Sequence, residues 1–281
     1  MLKELYRTLS PKFQTVNLDY KVDAKPRYGH GAPGHQLLHK VINENRMLYR
    51  EYLKQFLNYS EQLQKIKAID EDENNVSWEN GYLPGLDIIG LYGMVAKHKP
   101  KQYIEIGSGN STKVVKKAIK EQGLATRITS IDPCPRANID HLADKVIRQP
   151  FEELTNLTPI IESLQKDDIL FIDNSHRAFP NSDVTVCFLE LLPYLKEGVI
   201  VQFHDIYLPY DYPQFMCQRF YNEQYMLAAF ILSNPKKYNP ILPNYFISED
   251  EELKQIIAPL YKHSNLNSAE KHGGSFWLQI K

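Results

Sequence analysis

Cysteine is scarce in this chain: Cys134, Cys187 and Cys217 are the only three in 281 residues, and they lie far apart. No C-x-x-C pair occurs, which argues against a disulfide framework and a zinc ribbon. An excess of charge of one sign is also missing. Lys and Arg number 33 against 34 Asp and Glu, leaving a formal net charge of -1 with both signs interspersed. A nucleic-acid face would show a basic stripe, so none is expected. No apolar run approaches the roughly 20 residues of a membrane span. The opening MLKELYRTLSPKFQ contains no apolar core of a secretory signal. These absences lead to the expectation of a cytoplasmic protein with reduced thiols, no nucleic-acid partner and no membrane partner.

Aromatic residues are plentiful, with 18 Tyr and 12 Phe beside only two Trp. They either line a pocket for a partly polar organic substrate or serve as core and rim. With 43% hydrophobic and 24% charged residues, the chain has the composition of a globular protein with one large domain. Residues 1 to 35 read as irregular and end in KPRYGHGAPGH, where prolines and glycines forbid regular structure. From His35 to Ile69 the apolar positions Leu38, Val41, Ile42, Leu48, Leu53, Phe56 and Leu63 follow a helical period. DEDENN, Asp70 to Asn75, reads as an acidic linker, and WENGYLPGLD leads into a helix from Leu86 to about Lys97.

After Pro100 the pattern alternates. Strands are predicted at Tyr103–Ile106, Arg127–Ile131, Lys145–Arg148, Ile169–Ile172, Val199–Phe203 and Ser275–Ile280. Helices are predicted between them, at Thr112–Gln122, Ala137–Leu142, Leu157–Gln165, Asp183–Leu195 and Gln214–Leu232. Strands separated by helices make an α/β protein, its sheet mostly parallel and covered on both faces. In such sheets ligands sit beyond the carboxyl ends of the strands, so the residues just after each strand carry the chemistry.

The first strand runs into Glu105, Ile106, Gly107, Ser108, Gly109, Asn110 and Ser111. Two glycines let the backbone turn tightly and approach a ligand. A dinucleotide fingerprint G-x-G-x-x-G would need glycine at 112, where Thr112 stands. An acid at 105 would repel a pyrophosphate, whereas it suits a ligand carrying an ammonium group. Asp132, at the tip of the second strand, is placed to accept hydrogen bonds from both hydroxyls of a ribose. After the third strand, Gln149 or Phe151 would border an adenine ring.

YIEIGSGNST, ITSIDP, DDILFIDNSH and EGVIVQFHDI, in that order, resemble a class I S-adenosylmethionine-dependent methyltransferase. The likeness extends to metal-assisted sugar and macrolide O-methyltransferases with D-x-x-H after strand four and His-Asp after strand five. It covers about Pro84 to Asp211 and, more loosely, GSFWLQI; Ser111 replaces the family's third glycine. What the resemblance implies is a Rossmann-like methyltransferase sheet over residues 77–281, preceded by a helical N-terminal extension, 1–76. That extension would act as a lid or in dimerisation. Glu105 would engage the methionine end of S-adenosylmethionine, Gly107 to Ser111 and Asp173 the cofactor, Asp132 its ribose, and Phe151 its adenine. The absence of an N-P-P-Y-like tetrad argues against base or glutamine amino groups as acceptors.

The acceptor is then expected to be a hydroxyl on a small molecule or glycan. Such a hydroxyl is a weak acid and needs help to lose its proton. His176, three residues after Asp173, is the expected base. Asp173 and Asp205 would either share magnesium or another divalent metal, with His204 orienting Asp205 or joining the metal shell, or act without a metal by orienting the histidine and the hydroxyl. YLPYDYPQF, Tyr207 to Phe215, is either a wall of the acceptor pocket or a surface loop stiffened by two prolines. RYGHGAPGH and WENGYLP would close over the site. Two other readings stand beside this one: a cofactor-binding protein without catalysis, and a metal-dependent oxygenase using His176, His204 and an aspartate.

Overall fold

The computed structural model describes residues 6, 8–11, 13–135 and 137–281. They build a seven-stranded sheet in the order β3-β2-β1-β4-β5-β7-β6. The strands are β1 (Gln102–Ile106), β2 (Arg127–Ile131), β3 (Lys145–Ile147), β4 (Ile169–Ile172), β5 (Ile200–Phe203), β6 (Tyr238–Pro243) and β7 (Phe276–Ile280). β1 to β5 are mutually parallel, whereas β7 runs antiparallel to both β5 and β6. The sheet is thus the mostly parallel, Rossmann-like one expected of a methyltransferase.

The reason lies in the strands themselves. β4 reads ILFI and β5 reads IVQF, and every residue in both is buried. Such continuous apolar runs are stable only where helices cover both faces. Register then places the site. Ile106 pairs with Ile131 on one side and Ile172 on the other, and Ile172 pairs with Phe203. The next residues along these strands, Gly107, Asp132, Asp173 and His204, therefore emerge side by side on one edge of the sheet.

Six of the seven strands coincide with the predicted ones to within a residue at either end. β6 was not foreseen. It contains Pro240 and Pro243, which cannot donate to a ladder, and such a strand is tolerated at the rim. β6 is the rim strand here, with a register shift between Pro240 and Leu242. The single helix expected over Gln214–Leu232 is two, Gln214–Cys217 and Glu223–Ser233, separated where Phe220 takes φ 56°. Ala137–Leu142 contributes only a short 3-10 turn, Asp140–Leu142, and the helix begun at Asp183 loosens into a π turn at Cys187–Leu191 before Pro193. Helices at Asn244–Glu249 and Glu251–Ile257 were also unforeseen.

Before the sheet come the helices Gln36–Glu44, Arg46–Phe56 and Ser60–Gln64, then Gly85–His98. The last is buried on nearly every side, from Gly85 to Ala96. Phe56 lies flat against it at Gly93, where any side chain would collide with the Phe56 ring. Leu38, Ile42, Tyr49, Leu53, Phe56 and Leu63 join the same hydrophobic core as the sheet. No helix among the described residues is long and apolar enough to cross a membrane.

Candidate active site

A cavity of about 920 Å³ opens along the carboxyl edge of the sheet. Its floor is the set of residues after the strands: Gly107, Ser108, Asp132, Asp173, His204 and Asp205 all line it. His30, Gly81, Tyr82 and Pro84 line it as well, so both segments expected to close over the site do border it. Tyr207, Pro213 and Phe215 place the aromatic loop on its wall. A second cavity of about 330 Å³ adjoins the glycine turn, lined by Ser108 to Ser111, and shares Tyr82, Ser108 and Asp173 with the first.

The glycine turn is built from both sides. Gly107 has φ 82°, and a Cβ there would run into the carbonyl oxygen of Asp173, so glycine is required. Gly109 differs. Its backbone is extended, and among the described residues nothing lies within 4 Å of where its Cβ would be. Its own chain does not demand glycine, but a close-approaching ligand would. Asp132 braces the turn: Oδ2 accepts from the Ser108 amide at 2.9 Å and Oδ1 from the Cys134 amide at 2.8 Å. The Asn110 amide group reaches Asn80 at 3.2 Å.

Glu105 departs from expectation. It is 0% exposed and does not line the cavity. Ser111 Oγ at 3.1 Å and Tyr103 OH at 3.3 Å donate to its carboxylate, and so does the hydroxyl of Thr112. The first turn of the helix Asn110–Gln122 therefore seals the acid beneath the loop. Burial raises its pKa to about 7, against the pull of those hydroxyls. Phe151 is a second correction. It is 3% exposed, belongs to the hydrophobic core and lines neither cavity, rather than standing on a cavity wall as expected of an adenine contact.

The chemistry-bearing groups converge between β4 and β5. His176 Nε2 lies 3.4 Å from Asp173 Oδ1 and 3.4 Å from Asp205 Oδ2. One ligand atom each from Asp173, His176 and Asp205 all fall within 4.8 Å of one another. Two carboxylates and an imidazole suit a divalent cation, so these residues fit the expected metal. His204, expected either to orient Asp205 or to join the metal shell, stands outside this group. Its Nδ1 is 3.7 Å from Asp173 and 3.6 Å from Asp205, and its Nε2 meets Asp87 Oδ2 at 3.2 Å. His176 and Asp205 both adopt left-handed backbone, φ 61° and 55°, a strained conformation that functional sites often retain. The amides of Asn222 and Glu223 hold the His176 carbonyl in place at 3.0 and 3.3 Å.

Two buried carboxylates behind the histidines were missed from sequence. Glu223 Oε2 meets His176 Nδ1 at 3.0 Å, and its other oxygen finds no hydrogen-bond partner. Asp87 accepts from His204, from the Gly274 amide at 2.7 Å, from the Ser275 amide at 2.9 Å and from Asn244 at 2.7 Å. Burial opposes charge on His176, yet Glu223, then Asp173 and Asp205, overcome it and raise the pKa. His204 is likewise raised well above its ordinary value against burial, chiefly by Asp173. Burial would lift Asp87, but His204 and the other donors hold it low. An acid inside the apolar run GLDIIGLYGMVA was the available signal for Asp87. Glu223 gave none, because an acid in a helix's first turn is ordinary.

Residues 104–206 match the family model described as a methyltransferase domain. This segment is a methyltransferase domain. The chain is similar in structure to the SAH-bound methyltransferase PaMTH1 of Podospora anserina, at 14% identity and a TM-score of 0.42. That match covers 80% of this chain and 87% of the other. A methyltransferase of Thermobifida fusca is similar at 11% identity, 88% and 86% coverage and a TM-score of 0.36. An O-methyltransferase of Klebsiella pneumoniae is similar at 13% identity, 87% and 99% coverage and a TM-score of 0.32. These likenesses are too distant to bear on the chemistry of the site. No curated protein sequence matches the chain.

Proposed function

We propose that this methyltransferase alkylates a hydroxyl oxygen of a small molecule or a glycan sugar, with a divalent metal assisting. One observation carries the reading: Asp173, His176 and Asp205 converge on one cavity at the ends of β4 and β5. S-adenosylmethionine, when bound, supplies an electrophilic methyl group on a positively charged sulfur. The glycine turn and Asp132 hold the cofactor end, Asp132 through the ribose hydroxyls. Glu105 supports the turn from beneath rather than touching the ligand. His176 Nε2 takes the acceptor proton as the oxygen–carbon bond forms and the carbon–sulfur bond breaks. Asp173 and Asp205 would hold the metal, whose Lewis acidity would lower the pKa of the acceptor hydroxyl.

A second reading of His176 follows from the distances alone: it is the third metal ligand, and the base lies elsewhere. Substitution His176→Ala separates the two. As base, its loss abolishes turnover while manganese affinity and S-adenosylhomocysteine affinity persist in calorimetry. A collapse of manganese affinity in the variant assigns it to the metal instead. A protein that binds S-adenosylhomocysteine but methylates no hydroxyl acceptor would be the non-catalytic alternative. The metal-oxygenase alternative falls with the methyltransferase domain assignment.

We further take residues 1–76 as an extension that helps to close the site. Its support is local: the amides of Arg27 and Tyr28 both meet Asp211 Oδ2, the second at 3.0 Å, and His30 Nε2 lies 3.0 Å from the Asp211 carbonyl. These contacts tie the segment to the aromatic loop beside the cavity.

A further inference from the structure

Tyr221 is a crowded ring. It stacks on His176 with centroids 4.7 Å apart and planes at 30°. The guanidinium carbons of Arg219 and Arg177 also lie 4.6 and 4.9 Å from its centroid. All four residues line the large cavity. One arginine over a tyrosine is a common arrangement. Two like charges gathered on the same ring repel each other, and an anion bound between them would offset that repulsion.

Arg177 donates Nε to the Arg219 carbonyl at 2.9 Å and Nη1 to the Ser175 carbonyl at 3.0 Å. Both acceptors are neutral, and they fix the plane of a fork that has five N–H donors. Among the described residues neither guanidinium forms an ion pair, although Asp183 acts on Arg177 from a distance. Burial lowers the Arg177 pKa, and the neighbouring Arg219 lowers it further. The carboxylates that line the cavity are Asp132, Asp173, Asp205, Glu249 and Glu270, and among the described residues none of them forms an ion pair with either guanidinium. Asp173 and Asp205 face the two histidines, while Glu249 and Glu270 come from the C-terminal region. Among the described residues, Arg177 and Arg219 are the only guanidiniums on the cavity wall.

We propose that Arg177 and Arg219 form an anion subsite beside His176, so that the acceptor carries a carboxylate or phosphate group near the hydroxyl that is methylated. The fork geometry suits either group, because planar guanidinium pairs with two oxygens at once. Calling the anion part of the acceptor rests on the O-methyltransferase reading; the subsite itself does not.

Calorimetry on the full chain, loaded with S-adenosylhomocysteine and free of metal, tests it with inorganic phosphate as the probe. Phosphate is expected to bind saturably, and Arg219→Gln and Arg177→Gln are each expected to weaken it about tenfold. Arg219 is exposed, so its variant keeps the test valid if Arg177→Gln fails to fold. Glucuronate is expected to displace phosphate and glucose to leave it bound. No saturable phosphate binding, unchanged binding in the double variant, or equal displacement by glucose would each overturn the subsite. Failure of the chain to take up S-adenosylhomocysteine would count against the methyltransferase reading instead. Phosphate titration of the unloaded protein, with the same variants, then decides the subsite.

Discussion

Nδ1 of His176 is engaged by Glu223, which leaves Nε2 as the nitrogen presented to Asp173 and Asp205. A carboxylate behind an imidazole fixes its tautomer and raises its basicity. Glu223→Gln is therefore expected to lower kcat by about 10- to 100-fold. Affinity for S-adenosylhomocysteine should stay unchanged, and Glu223→Asp should recover part of the rate. Equal losses in kcat and in cofactor affinity would reduce Glu223 to a packing role. At this scale the sequence revealed only half of the site. Asp173, His176 and Asp205 were legible because they directly follow strands. Glu223 and Asp87 were not, since their histidine partners stand 47 and 117 residues away along the chain. Phe151 misled because an aromatic after a strand is as readily core as ligand wall, and only packing decides.

The glycine turn allows a sharper test among elements, because its two glycines are held to their identity by different forces. Gly107 is constrained by the chain, through its positive φ and the Asp173 carbonyl. Among the described residues nothing constrains Gly109. Gly107→Ala should lower the melting temperature and abolish cofactor binding together. Gly109→Ala should leave the melting temperature in place while S-adenosylhomocysteine affinity drops about tenfold, a loss of roughly 1.4 kcal/mol. Unchanged affinity in the second variant would remove the turn from the binding site. Elements with one dominant period were legible throughout, as with β1, β4 and Gly85–His98. Those shaped by tertiary contact were not: β6 is a strand despite two prolines, and Gln214–Leu232 breaks in order to bring Tyr221 and Glu223 to His176.

Across the whole molecule, the N-terminal helices share one core with the sheet, a union that local periodicity does not reveal. Stability is also coupled to a single buried acid. Burial raises Glu105 from the ordinary 4.5 to about 7. Between those values the folded chain holds a proton that the unfolded chain has released, so stability falls as pH rises through this window. The loss attributable to Glu105 is roughly 3 kcal/mol between pH 4.5 and 8. Glu105→Gln, which resembles the protonated form, should abolish that slope in denaturant unfolding of the unliganded protein. Parallel pH profiles for the two proteins would show that Glu105 titrates normally.

The most direct measurement is a calorimetric titration of the purified chain with S-adenosylhomocysteine, repeated on Asp132→Asn and His176→Ala. Saturable binding is expected in the native protein, weakened by the first substitution and retained by the second. An absence of binding in the native protein would contradict the assignment of this cavity to methyl transfer.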